Sequence, residues 1–218
     1  MNAVILACSF LEQYIDAAQE KMKTNFSVIA LDNSLHVYPK KMREKIIETI
    51  NALSDEVDTI LVAMGYCGKS WEAIPHKQRI VIPRVDDCVT LLLHTDDTRH
   101  ANLKKPGHFY LCNNESSRFS ILSLCEELCE KYGEKKGMRV FRLWFDSYTD
   151  IDVIENGVCD CHADDFVEMA RKSAELVESR LNFVPGSNRI LEKLVSGRWD
   201  EQFLVVEPER MLEDQDFA

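Results

Sequence analysis

Three cysteines carry the chemistry this sequence offers most plainly. Cys8, Cys67 and Cys88 each follow a short apolar run that reads as a β-strand: Ala3 to Ala7, Thr59 to Met64, and Arg79 to Ile82. If those strands are neighbours, the three thiols meet at one end of a sheet. Three thiolates can hold zinc with a fourth ligand, or an iron–sulfur cluster with one open iron. His36, after the run Phe26 to Leu31, is a candidate fourth ligand and equally a group that touches substrate. The spacing is wide and contains no C-x-x-C pair. On spacing alone the thiols read first as small buried hydrophobes, a common role for free cysteine.

The loops around the thiols add more. Gly65 and Gly68 flank Cys67 in G-Y-C-G, which suits a tight turn or close backbone approach to a ligand. In P-R-V-D-D-C, Arg84 is a candidate clamp for a carboxylate or phosphate. Asp86 and Asp87 are candidate catalytic bases or metal ligands, and each also suits a helix N-cap with a structural Arg–Asp pair. Ala63 to Ser70 spells A-x-x-x-x-G-K-S, a phosphate-loop pattern in which Lys69 would reach phosphates and Ser70 would hold magnesium. Pro75 cuts short the helix such a loop should feed. Cys125 and Cys129, four apart, read as core of a helix. Cys159-Asp160-Cys161-His162 is a local cluster of soft donors beside a helix start. His76, His94, His100 and His108 read as surface residues.

Positioning these groups falls to alternating strands and helices. Strands at 3–7, 26–31, 59–64 and 79–82 alternate with helices at 10–22, 39–53 and 89–93, with Pro39 at a first helical turn. The second half reads as a strand at 108–111, a helix from Ser117 to Tyr132, a turn at Lys136-Gly137 and a strand at 138–145. An irregular stretch at 146–160 precedes a long helix at 163–181, a short helix at 188–195 and a last strand at 203–206. This is an α/β pattern: a mainly parallel, Rossmann-like sheet with helices on both faces. The length of 218 residues fits one domain or two lobes, and the polar stretch 94–107 suggests 1–100 and 101–218 as the lobes. Ligands of such sheets bind beyond the carboxyl ends of the strands, where all three cysteines fall.

Composition narrows the partners. A formal charge of −11 argues against nucleic acid and anionic membrane. No apolar run approaches the ~20 residues of a membrane helix. Eight cysteines without a secretion signal suggest reduced thiols and a cytoplasmic setting.

The combination of motifs resembles a family. Leu35-His36 before a Pro-initiated helix, G-Y-C-G at 65–68, P-R-x-D-D-C at 83–88 and the closing S-G-R-W-D at 196–200 are similar to a bacterial and archaeal domain of unknown function. Its members resemble one another at the positions of Cys8, His36, Cys67, Arg84, Asp86, Asp87 and Cys88. They often sit near genes for corrinoid-dependent methyl transfer. The resemblance therefore implies a small methylated or anionic metabolite, a corrinoid or methyltransferase partner, and a role in one-carbon metabolism. Asn113-Asn114 and Pro208-Glu209 depart from the family's Gly-Trp and Pro-Gly, and Lys69 falls where the family does not hold lysine. Three readings follow: a zinc or iron–sulfur protein built on Cys8, Cys67 and Cys88, a non-catalytic partner of a methyltransferase, and a nucleotide-dependent enzyme using Ala63 to Ser70.

Overall fold

β1 (Ala3–Cys8) is the centre on which the first sheet is built. Its sequence A-V-I-L-A-C is apolar throughout and buried from Val4 on, as befits a strand covered on both faces. The computed structural model describes residues 2–113, 120–208 and 210–217. Asn114, the residues 117–119 where the sequence begins its next helix, and Glu209 lie outside the described residues.

β1 pairs in parallel with β2 (Ser27–Leu31) on one side and β3 (Thr59–Ala63) on the other. β4 (Arg79–Pro83) continues in parallel, and β8 (Phe203–Val206) closes the edge antiparallel to it, giving the order β2-β1-β3-β4-β8. The chain steps from β1 to β2 through α1 (Glu12–Met22), then back past β1 to β3 through α2 (Pro39–Asn51). Right-handed crossovers in opposite directions put these two helices on opposite faces. The strand order therefore reverses between β1 and β3, the point at which open α/β sheets bind ligands.

A second sheet, β5 (His108–Leu111), β6 (Asp150–Glu155) and β7 (Arg180–Pro185), is wholly parallel. It belongs to a compact unit spanning Lys104–Gly186, while Met1–Leu103 and Ser187–Ala218 make up the other. β8 and α7 (Arg189–Ser196) thus pack with the first strands, although the sequence reading groups them with the second half. Among the described residues, no helix is long and apolar enough to cross a membrane.

The second unit departs from the sequence reading in three places. Residues 138–145, read as a strand after a turn at Lys136-Gly137, form α5 (Glu134–Phe145). Met138, Phe141 and Phe145 are three and four apart, and they face α4 (Ile121–Tyr132) in the core of this unit. Gly137 is the contact point: a Cβ there would lie 2.5 Å from Cys129 Cα and from the Leu128 carbonyl oxygen. Gly137→Ala is expected to cost about 1–3 kcal/mol through backbone overpacking. A fall in Tm of roughly 2–4 °C per kcal/mol would show it, and an unchanged Tm would mean that the two helices part easily.

The second departure is β6, read as irregular. The third is β7: the sequence predicts a helix running to residue 181, whereas α6 (Asp164–Leu176) stops earlier and β7 begins at Arg180. Both strands carry polar residues on one face. Asp150 and Asp152 accept from Asn182 Nδ2 at 3.0 and 2.9 Å, Arg180 pairs with Asp150 at 2.8 Å, and His108 Nδ1 lies 2.7 Å from Asp152. The alternate residues Ile151 and Val153 enter the core with Leu111, Phe141 and Phe166. His108 is therefore part of a polar network. His76 and His94 are buried, at 8% and 1% exposure, against backbone carbonyls.

In the first unit Lys193 is buried on α7, with its ammonium on Asp97 at 2.8 Å, Gln202 at 2.6 Å and Asp200. Lys193 and then Arg189 hold the Asp97 carboxyl down to about 2 from an ordinary 3.8. A depressed folded value means this contribution to stability is present above the ordinary pKa and is lost as pH falls from about 3.8 toward about 2. An NMR titration of Asp97 should show the low midpoint. A midpoint at the ordinary value would show that the pairs are open in solution.

Candidate functional site

The carboxyl ends of the first strands bring Cys8, His36 and Cys88 to one place. Cys8 ends β1 and is fully buried. The next residue, Ser9, accepts a hydrogen bond from the Asn33 N–H at 3.0 Å, which ties the exit of β1 to the exit of β2. A 3-10 turn over Asn33–Val37 follows, capped by the Asp32 carboxylate on the Ser34 N–H at 2.8 Å. That turn delivers His36, whose Nε2 lies 3.1 Å from Cys8 Sγ.

Cys88 approaches from the far side. It opens α3 (Cys88–Leu93), capped by the Asp87 carboxylate, which accepts from the Thr90 N–H at 2.9 Å. The N-cap alternative for this Asp pair is thus what Asp87 does locally, while its charge also reaches His36. The donor atoms of Cys8, His36 and Cys88 all lie within 4.8 Å of one another. Cys67 does not belong to that group: its sulfur does not lie within the same distance of both other thiols.

Cys67 is held by an unusual backbone. Cys67, Gly68 and Lys69 take φ values of 46°, 65° and 69°, three left-handed residues in succession. For the two non-glycines this is a strained conformation costing on the order of 1–3 kcal/mol each, and such strain collects at functional sites. Two backbone hydrogen bonds stitch the turn to the neighbouring loop: Tyr66 N–H to Val85 O at 2.9 Å and Cys67 N–H to Asp86 O at 2.7 Å. Gly65 is required by the same seam, since a Cβ would stand 2.5 Å from Asp87 Cα.

The electrostatics of the thiols are set by crowding. Hydrogen bonding with Cys88 and burial push the Cys8 thiol far above its ordinary pKa, against the pull of His36. Cys88 is likewise raised, first through Cys67. Buried sulfurs packed this closely cannot all ionise unless a cation joins them. Zn–S bonds near 2.3 Å and Zn–N bonds near 2.0–2.1 Å imply S···S and S···N separations of about 3.8 and 3.6 Å around a tetrahedral ion. Cys8 Sγ and His36 Nε2 stand 3.1 Å apart, and all three donors lie within 4.8 Å of one another. The corners of an iron–sulfur cluster stand farther apart, at about 6–7 Å.

Arg84 and Lys69 are instead committed to the C-terminal segment, as is Tyr66. Arg84 Nε donates to Asp216 O at 3.0 Å, Lys69 pairs with Asp214 at 2.6 Å, and Tyr66 stacks on Phe217 with centroids 4.0 Å apart. Ala73 N–H reaches Leu212 O at 2.9 Å. No motif marked this strap in the sequence. Ser70 is fully buried and donates to Tyr66 O, and residues 67–73 form turns rather than the helix a phosphate loop needs.

The family model described as "Protein of unknown function (DUF1638)" matches residues 30–195, a span that holds His36, G-Y-C-G and P-R-V-D-D-C, with Cys8 ahead of it. No curated protein and no solved structure matches the chain. By that match over most of its length, the chain belongs to the DUF1638 family.

Proposed function

We propose that this protein binds a single zinc ion through Cys8, His36 and Cys88, with Cys67 supplying or vacating the fourth position. The observation that carries the reading is the convergence of three soft donors within 4.8 Å at the switch point of a parallel sheet. Their separations suit one ion better than a cluster. The site is built from three loops on a rigid sheet, the arrangement expected of a binding centre rather than of incidental core cysteines.

Zinc held by two or three thiolates and an imidazole can act as a Lewis acid or activate a thiol, provided one position opens. Cys67, on its strained turn, is the donor suited to yield that position to a small anionic or methylated metabolite. Methyl acceptors and corrinoids are the first ligands to try, on the strength of the family resemblance. Asp87, close enough to influence His36, would orient its imidazole.

The test is metal content after gel filtration. About one tightly held equivalent of zinc is expected in the native chain. Cys8→Ser should lose it, and Cys129→Ser, in the other unit, should keep it. Retention of zinc by Cys8→Ser would overturn the assignment.

A further inference from the structure

We propose a second site for zinc or a similar borderline divalent cation, built by Glu155, Cys161 and His162 in the other compact unit and independent of the site at Cys8. Glu155 ends β6, the middle strand of its parallel sheet, so this site too lies at strand carboxyl ends. One oxygen, one sulfur and one nitrogen of the three residues lie within 4.8 Å of one another. His162 Nε2 and Glu155 Oε1 are 2.9 Å apart. Two ligands on bonds of 2.0–2.1 Å span about 3.3 Å around a tetrahedral ion, so only a slight spreading admits the metal.

The loop that carries the donors is formed in advance. Asn156 Oδ1 accepts from Val158 N–H and Cys159 N–H at 2.9 and 3.2 Å, and Asp160 Oδ1 accepts from His162 N–H at 3.0 Å. Asn113 Nδ2 donates to Asp160 O at 2.7 Å, anchoring the loop from the end of β5. The His162 ring stacks on Phe183 of β7 at 4.8 Å, which fixes the imidazole plane. These contacts hold the ligands without a metal, so binding need not order the loop.

The donor set is graded from inside to outside. Cys161 is buried at 7% exposure, while the side chains of Glu155 and His162 are 41% and 62% exposed. A soft anchor sits at the floor and two harder donors stand at the rim. A mixed oxygen, nitrogen and sulfur set with a solvent-facing side suits zinc with bound water. It should bind more weakly and exchange faster than a site rich in buried thiolates.

The test is titration of the metal-free full chain with cobalt(II), followed by thiolate-to-cobalt absorption. Two phases are expected: a tight one with strong absorption from the several thiolates near Cys8, and a weaker one from Cys161. Cys161→Ser and His162→Ala should abolish the second phase and keep the first, whose survival also reports that the variant is folded. Glu155→Gln, a gentler change, should weaken the second phase at least about 10-fold. Cys88→Ser should remove the tight phase and leave the weak one. A wild-type chain without the weak phase, or a weak phase that persists in both Cys161→Ser and His162→Ala, would overturn the proposal. Loss of the tight phase alone would count against the site at Cys8 and not against this one.

Discussion

Cys88→Ser is expected to weaken zinc retention by at least about 100-fold while leaving the chain folded. Loss of a group that only orients a ligand costs 10–100-fold in metal affinity, and loss of a thiolate should exceed that. Cys88 has a larger effect than Cys67 because its sulfur belongs to the trio of donors within 4.8 Å of one another and that of Cys67 does not. The fold should survive because the sheet has its own apolar core, with Ile5, Leu61, Val81 and Leu91 fully buried. Equilibrium competition against a chromophoric chelator measures the change, and far-UV circular dichroism checks the fold. Wild-type affinity in this variant would mean that Cys88 is a packing residue.

Gly65→Ala should be the more damaging change to the structure. Its added carbon would lie 2.5–2.8 Å from three backbone atoms of Asp87, none of which can rotate away. Overpacking against backbone costs about 1–3 kcal/mol and occasionally more, so a Tm lower by several degrees is expected. The same displacement would move the Asp87 cap and Cys88 together, because Asp87 caps the helix that Cys88 opens. Metal affinity should therefore fall along with stability. A variant that loses stability but binds zinc as tightly as wild type would show that the two loops are coupled only through packing.

The first unit was legible because β1, β3 and β4 are buried on both faces and read as plain apolar runs. Cys8, His36, Cys67 and Cys88 could be placed at strand ends for the same reason, and the chain's own turns bring Cys8, His36 and Cys88 together. What could not be read was the backbone that aims them. Nothing in G-Y-C-G-K announces three left-handed residues, two of them not glycine. Nor did Asp214, Asp216 and Phe217 carry a pattern linking them to a loop about 145 residues away in sequence.

The second unit hid its strands behind polar side chains. D-I-D-V-I-E alternates as a half-buried strand should, but aspartate is disfavoured in strands, and here the aspartates are satisfied by Asn182, Arg180 and His108. α5 was mistaken for a strand because Val140, Phe141, Leu143, Trp144 and Phe145 form a dense apolar cluster. In the helix, Leu143 and Trp144 are left exposed. Missing β6 also concealed Glu155, so Cys161 and His162 stood in the sequence without their carboxylate.

The central claim, a single zinc ion on sulfur and imidazole at the carboxyl end of β1, β3 and β4, is tested most directly by X-ray absorption at the zinc edge. The sample is the His162→Ala chain loaded with one equivalent of zinc, so that the second site does not contribute. The expected result is a four-coordinate shell with two or three sulfurs near 2.3 Å and a nitrogen near 2.0–2.1 Å, losing sulfur in Cys88→Ser. A shell of oxygen and nitrogen alone, or one unchanged by Cys88→Ser, would contradict it.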